Sequence, residues 1–372
     1  STSIQEKNEW VPFGFSIEDW DILLTSRVLD IDSSLIKPLS IFEKTLGQES
    51  TKTALVQAHI AHTFLLTGQP DLAIIFLKSA VNSYQLQREW ISNIGSAELK
   101  SYTKSVEGTY RGLASTLTDQ GRLDEAQLVL DMLKEDEQFE FVRRSANADP
   151  RRSRMAFNAT EQAWTQRYRQ VADRLAALGA EEVALQKQAK LGLTTEQQQR
   201  QKALAADLAV ARQAFQAFLD ELRSSFAQKG PARALEVVET SQKALRDLQS
   251  LLKGLGDDAV LLQYYVTDDK VGMLLTTPGV QLARSSQVNA KDLNRQIAEF
   301  RRLLRDPKSN PLPAAQALYQ LLVAPVAQDL AQAGAKTVML SLDGALRYVP
   351  FAAFHDGQQY LAQKWNLPMY TS

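Results

Sequence analysis

The sequence predicts a multidomain chain in which α-helical repeats and a helical hairpin precede an α/β domain with an incomplete sheet. Three observations carry that prediction. One spacing of small and apolar residues occurs twice between positions 61 and 133. A four–three alternation of apolar residues fills 204–222. Two β-rich runs around a tight polar turn open the last third of the chain, and a nearly continuous apolar strand follows at 336–342.

Composition narrows the possible functions. The 372 residues carry 42 Lys and Arg against 43 Asp and Glu. A net charge of -1 gives no global attraction to nucleic acid or to an anionic membrane. The longest apolar runs, such as Leu72 to Leu77, are far too short to cross a bilayer. With no signal-peptide pattern either, the expected location is cytoplasmic. Cysteine is absent, which excludes disulfides, thiolate metal sites and a cysteine nucleophile within these residues.

Residues 1–50 carry Trp10, Phe13, Phe15 and Trp20 and read as a cap on the first repeat, with an exposed aromatic docking patch as the alternative. The segment 51–145 holds the repeats. Ala61, Phe64, Gly68, Ala73, Leu77 and Ala80 form the first copy, and Ala114, Leu117, Gly121, Ala126, Leu130 and Leu133 the second, with identical offsets. Small residues let two antiparallel helices approach, and the glycine supplies the turn between them. Asp71 and Asp124 stand just ahead of each second helix, near its positive end. The copies lie 53 residues apart, so an insertion around Gln87 to Ser105, read as a longer helix or an irregular repeat, separates them.

The segment 146–255 opens with Arg143, Arg144, Arg151, Arg152 and Arg154 around its boundary. No interleaved aromatics accompany them and four acidic residues lie just upstream, so a solvated loop is expected rather than a nucleic-acid site. Leu204, Leu208, Ala211, Phe215, Phe218 and Leu222 then define an apolar seam, with Val171, Leu175 and Leu178 in the same rhythm on an earlier arm. Thr194 and Gln197 between the arms have capping-box spacing. One antiparallel hairpin is the economical reading, and self-association through 204–222 is the alternative. A short helix at about 232–253 leads to Gly254 and Gly256, the best linker.

The last segment, 258–372, begins with Val260 to Val266, an Asp268-Asp269 turn and Val271 to Thr277, a hairpin signal. Helical spacing covers Asn289 to Arg305 and Ala314 to Gln332, on either side of a break at Pro311 to Pro313. The strand 336–342 has the apolar continuity of one buried on both faces, and a final strand is expected near Leu367 to Thr371. These elements are too few to cover every side of such a sheet, so an edge and an apolar face are expected to lie open.

The turn-bearing pairs of the repeat region resemble the tetratricopeptide (TPR) motif, whose usual period is ~34 residues. The region Ala259 to Ser372 resembles the front half of a CHAT domain, the caspase-like peptidase domain found attached to TPR repeats. The resemblance rests on the opening hairpin, the helix at 314–326, and the block from Leu340 to Gly357. That block runs from a strand through Asp343-Gly344 and Arg347-Tyr348-Val349-Pro350-Phe351 to His355-Asp356-Gly357. It implies a regulated cysteine endopeptidase that cuts a protein substrate, with a thiolate nucleophile and an assisting His. In the family both catalytic residues lie beyond the stretch represented here, so this sequence is expected to be the N-terminal part of such a protein. His355 falls in a turn that resembles a structural part of the family, and no catalytic residue is assigned. The competing reading is a non-catalytic TPR-type scaffold with a degenerate caspase-like domain.

TPR resemblance implies a protein or peptide partner on the inner faces of the first helices. The candidate binding residues are Leu55, His62 and Leu65 in the first copy, with Arg111, Ser115 and Thr118 in the second. Arg111 suits a carboxylate, or else an ion pair within the fold. His59 and His62 stand one helical turn apart, but no third His or Cys joins them, so no metal is expected. No cofactor is expected: Gly254-Leu255-Gly256 lacks the remainder of a phosphate loop, and Ser341-Leu342-Asp343 lacks the glycines of a hydrolase elbow.

Overall fold

The computed structural model describes residues 39, 50–92, 96–141, 154–189, 192–228 and 238–370. The aromatic cluster of 1–50 and the arginines at 143–152 lie outside the described residues. In chain order the helices are α1 (Thr51–Leu66), α2 (Pro70–Ser92), α3 (Ser96–Asp119), α4 (Leu123–Phe141), α5 (Ala159–Ala189), α6 (Thr195–Gln228) and α7 (Glu239–Leu255). Then follow β1 (Ala259–Val266), β2 (Lys270–Thr276), β3 (Gln281–Gln287), α8 (Ala290–Arg305), α9 (Leu312–Leu322), α10 (Ala324–Gln332) and β4 (Thr337–Ser341). Short 3-10 turns at Gly344–Tyr348 and Phe351–Ala353 lead to α11 (Leu361–Lys364). The chain is mostly helical with a small mixed sheet near its C-terminal end. No helix among the described residues is long and apolar enough to cross a membrane.

The chain divides into two compact units whose boundaries fall inside α2 and at the start of α5. They cut across the four segments read from the sequence. One unit holds α1, α2 up to Ser83, α5 from Glu161, and α6. The other holds Tyr84 to Thr160 and everything from Gly230.

In the first unit α1 ends at Gly68, whose φ of 71° places it in the left-handed region that a residue without Cβ adopts freely. The Gly68 amide donates to the Leu65 carbonyl and the Gln69 amide to that of Phe64, closing a Schellman turn. Phe64 then stacks on Phe76 of α2, and Phe76 meets Tyr168 of α5 edge-on. Lys78 and Glu161 form a fully buried ion pair at 2.8 Å. The arms α5 and α6 run antiparallel, as the pairings Trp164–Phe218, Arg167–Glu221 and Arg200–Glu181 require. Leu204, Leu208 and Ala211 are buried against Leu185 and Leu178, so this part of the seam is used within the chain. Thr194 and Gln197 form the expected reciprocal cap: each backbone amide donates to the other's side-chain oxygen.

In the second unit α3 ends as α1 does. Gly121 has φ 72°, its amide reaches Thr118, and the Arg122 amide reaches Leu117. The insertion between the two copies lengthens α2 and α3, to 23 and 24 residues. The sheet order is β3-β2-β1-β4, antiparallel except for the β1–β4 pair. Residues 366–370 extend it beyond β4: Leu340 donates to the Pro368 carbonyl and Tyr370 to that of Leu340. Where a final strand was expected, the described residues pair through two isolated bridges, at Asn366 and Met369. The Asp268-Asp269 turn forms where expected, and Asn289 caps the helix that follows β3 by accepting the Lys291 amide.

Three features depart from the sequence reading. The single helix expected over 314–332 is two, broken at Val323 two residues before Pro325, which has no amide to continue the helix ladder and sits instead in the first turn of α10. The strand β3 was not expected at all, because Gln281-Leu282-Ala283-Arg284-Ser285-Ser286-Gln287 is polar and lies at the sheet edge. The sheet face expected to lie open is covered. Every residue of β1 from Ala259 to Tyr265 and every residue of β2 is buried, because α3, α4 and α7 pack where no local element was available.

Candidate functional site

Alternation along the strands sorts the sheet into two faces of different chemistry. Val260, Leu262, Tyr264, Val271, Met273, Leu275, Val338 and Leu340 point to one side, where Leu293, Ile297 and Phe300 of α8 and Leu318 and Leu322 of α9 enclose them. The aromatic part of the Leu340–Gly357 block closes that core. Phe351 lies 5.4 Å from Tyr264 and 4.8 Å from Phe354, and Phe354 lies 5.8 Å from Phe300, centroid to centroid. Within it the Tyr264 hydroxyl donates to the Leu322 carbonyl at 2.6 Å.

Gln263, Tyr265, Lys270 and Asp343 belong to the other face together with buried Leu261 and Leu274, and α3 and α4 supply polar partners for Gln263, Lys270 and Asp343. Gln263 donates to Asp131 at 3.3 Å, Gln281 to Gln127 at 3.3 Å, and Lys270 to both oxygens of Asp119 at 2.7 Å. The Tyr265 ring lies over Gly272, where any Cβ would stand 1.9 Å from it. Burial pushes the Tyr265 hydroxyl up, against the opposing pull of the nearby Thr118 and Ser115 hydroxyls.

The densest charge lies at the C-terminal ends of the parallel pair β1 and β4. Asp343, 1% exposed, follows β4 and accepts from Arg111 Nε at 2.7 Å on Oδ2 and from Arg111 Nη2 at 2.8 Å on Oδ1. Its Oδ2 also accepts the Val266 amide at 2.9 Å, and Arg347 stands 3.8 Å from Oδ1. Glu107 grips the other side of Arg111 at 2.9 Å. Lys134 of α4 and Arg347 both donate to the Leu342 carbonyl. Burial works against the Arg111 charge, but Asp343 and Glu107 outweigh it and raise its pKa. Burial lowers Lys134 to about 8, with Arg347 and Arg111 adding to the effect and Asp343 opposing it. Asp343 is thus already engaged through both oxygens, and its geometry is that of a tie between elements rather than of a general base.

The six candidate binding residues divide between the two units. Leu55 (46% exposed) and His62 are exposed on α1, with Leu65 half-buried beside them. Arg111, Ser115 and Thr118 lie on the α3 face that meets the sheet, where Arg111 holds Asp343. His59 Nδ1 is bonded to the Leu55 carbonyl at 2.8 Å. No cluster of three His, Cys, Asp or Glu side chains suits a metal ion among the described residues. His355 accepts the Gly357 amide on Nδ1 at 3.0 Å and meets Tyr360 edge-on, a turn-forming role. The sequence reading passed over Lys134, Lys270 and Gln263. Gln263 within Val260–Val266 was the available signal, since a polar side chain in a fully buried strand needs a partner.

The break before Pro325, the Asp343-Gly344 turn and the aromatic closure all fall within one stretch. Residues 312–372 match the CHAT domain family model. The match supports a CHAT-domain protein and points to a caspase-like family. No curated protein is similar enough to the chain to count as a relative.

Proposed function

We propose that these residues form the regulatory, partner-binding part of a TPR–CHAT protein whose complete form is a regulated cysteine endopeptidase acting on a protein substrate. The CHAT match over 312–372 is the observation that carries the reading. Supporting it are the two helix pairs with the same left-handed glycine turn, the geometry a TPR-type repeat needs. The exposed Leu55 and His62 with Leu65 on α1 are the proposed contact for a protein or peptide partner, and neither a cofactor nor a metal is involved. Arg111, Ser115 and Thr118 serve the chain's own sheet instead. Self-association through 204–222 would require the α5–α6 hairpin to open, since Leu204, Leu208 and Ala211 are buried in it.

A second reading, a non-catalytic interaction scaffold, is favoured by the lack of any cysteine in the 372 residues. The two are separated by isolating the natural protein that carries these residues and treating it with iodoacetamide. The peptidase reading expects a reactive cysteine contributed from outside residues 1–372, together with cleavage of a protein that disappears on alkylation. A natural protein without cysteine leaves the scaffold.

A further inference from the structure

We propose that Asp343 is the hub of a conformational latch, through which the helix pair α3–α4 holds the turn that follows β4 and can release it without unfolding the domain. The latch deepens the regulatory reading above. Its test reads conformational opening alone, so it can fail while the peptidase reading stands, and the reverse.

The carboxylate joins three separate pieces of the unit. Arg111 belongs to α3, the Val266 amide ends β1, and Arg347 lies within the 3-10 turn Gly344–Tyr348. Leu342, immediately before it, is held through its carbonyl by Lys134 of α4. Two side chains contributed more than 200 residues earlier in the chain thus tie the start of the segment 343–349, while its Leu346 and Val349 are buried in the apolar core. That segment runs on through Pro350 into Phe351 and Phe354, which close the apolar core. It lies at the C-terminal ends of the parallel strands β1 and β4, where α/β sheets ordinarily place their working loops.

The layer that would open differs in kind from the one that would stay shut. The α8–α9 face is held by contiguous apolar packing. The α3–α4 face combines buried Leu261 and Leu274 with directional polar contacts: Gln263–Asp131, Gln281–Gln127, Lys270–Asp119 and Arg111–Asp343. Gln263 Oε1 and Ser341 Oγ, neighbours across β1 and β4, are buried without a hydrogen-bond partner among the described residues. The polar contacts of that layer give up less on parting than apolar ones, because water satisfies each of these groups once they separate. It also keeps one register when closed, since the bidentate Arg111–Asp343 geometry admits one alignment.

The test is hydrogen exchange on the whole chain, compared among Arg111→Gln, Asp343→Asn and the unaltered protein. The expected result is at least tenfold faster exchange at the Val266 amide and in peptides covering 343–349, with α8, α9 and β2 unchanged. Arg111→Lys, which keeps the charge but not the fork, should fall between. Should Asp343→Asn fail to fold, Arg111→Met/Asp343→Leu removes both charges together and is expected to stay folded with the same local acceleration. Unchanged exchange at 343–349 in the single variants would overturn the latch. So would a rise of equal size in every element, including that in the double variant, because it would make Asp343 part of one indivisible fold.

Discussion

The two faces of one sheet solve the problem of burial in opposite ways. Toward α8 and α9 the strands present Val, Leu, Met and Tyr, and a single hydroxyl needs a partner. Toward α3 and α4 they present Gln263, Tyr265 and Lys270 among buried Leu261 and Leu274, and the helices answer Gln263 with Asp131 and Lys270 with Asp119. Apolar packing is non-directional and adds with area, so the first face is strong and tolerant of small shifts. Polar pairing costs desolvation on both sides and rewards one geometry, so the polar contacts make the second face more exacting. The difference assigns the faces different duties: one makes the domain, and the other sets how the helical layer engages it.

Substitutions should separate these duties. Phe300→Ala, in the apolar face, is expected to cost about 3–5 kcal/mol and to weaken every element of the unit together. Its check is the opening free energy of β1 and β2 amides by native-state hydrogen exchange. Asp343→Ala should cost about 3 kcal/mol by leaving Arg111 with a buried, half-answered charge. Replacing both, as Arg111→Met/Asp343→Leu, should return most of that loss in urea unfolding. A double variant as unstable as Asp343→Ala would mean that the pair itself, and not its orphaned half, carries the stability.

Gly272→Ala sharpens the comparison from the backbone side. A methyl group there meets the Tyr265 ring and must displace it, at about 1–3 kcal/mol. Near-ultraviolet circular dichroism and unfolding should register the displaced ring.

Lys134 supplies a pH signature for the polar face. Its folded pKa lies at about 8 against an ordinary 10.5, so between those values the unfolded chain holds a proton that the folded chain has shed. Stability should therefore rise with pH across that window, by on the order of 1–2 kcal/mol from pH 8 to 10. Tyr84, pushed up to about 12 by burial, works the other way: the folded chain keeps its proton, and stability falls from pH 10 to 12. Lys134→Met should abolish the rise and leave the fall. A wild-type profile that declines steadily from pH 8 would contradict this. The smallest effect belongs to Arg167→Ala in the α5–α6 hairpin, whose pair with Glu221 is about half exposed, at below about 1 kcal/mol in thermal unfolding.

Most of what is local was legible in the sequence. The glycine turns at 68 and 121, the Thr194–Gln197 cap, the seam through Leu204, Leu208 and Ala211, and the Asp268-Asp269 hairpin each depend on neighbours a few residues away. The strand β3 escaped because it combines an edge position with polar residues, although the Pro278-Gly279 turn ahead of it was a clue. The polar face escaped for a deeper reason. Arg111 and Asp343 are 232 residues apart, and no periodicity in either segment specifies the other. Arg111 looked like a residue awaiting a carboxylate, and the carboxylate is in the same chain.

The most direct test of the two-face account is native-state hydrogen exchange on the unaltered chain at a series of low urea concentrations. The account predicts that α3, α4 and residues 343–349 open in a sub-global step at a lower free energy than β1, β2 and α8. One shared opening free energy and one shared urea dependence for all of them would contradict it, and would make the polar face as much a part of the core as the apolar one.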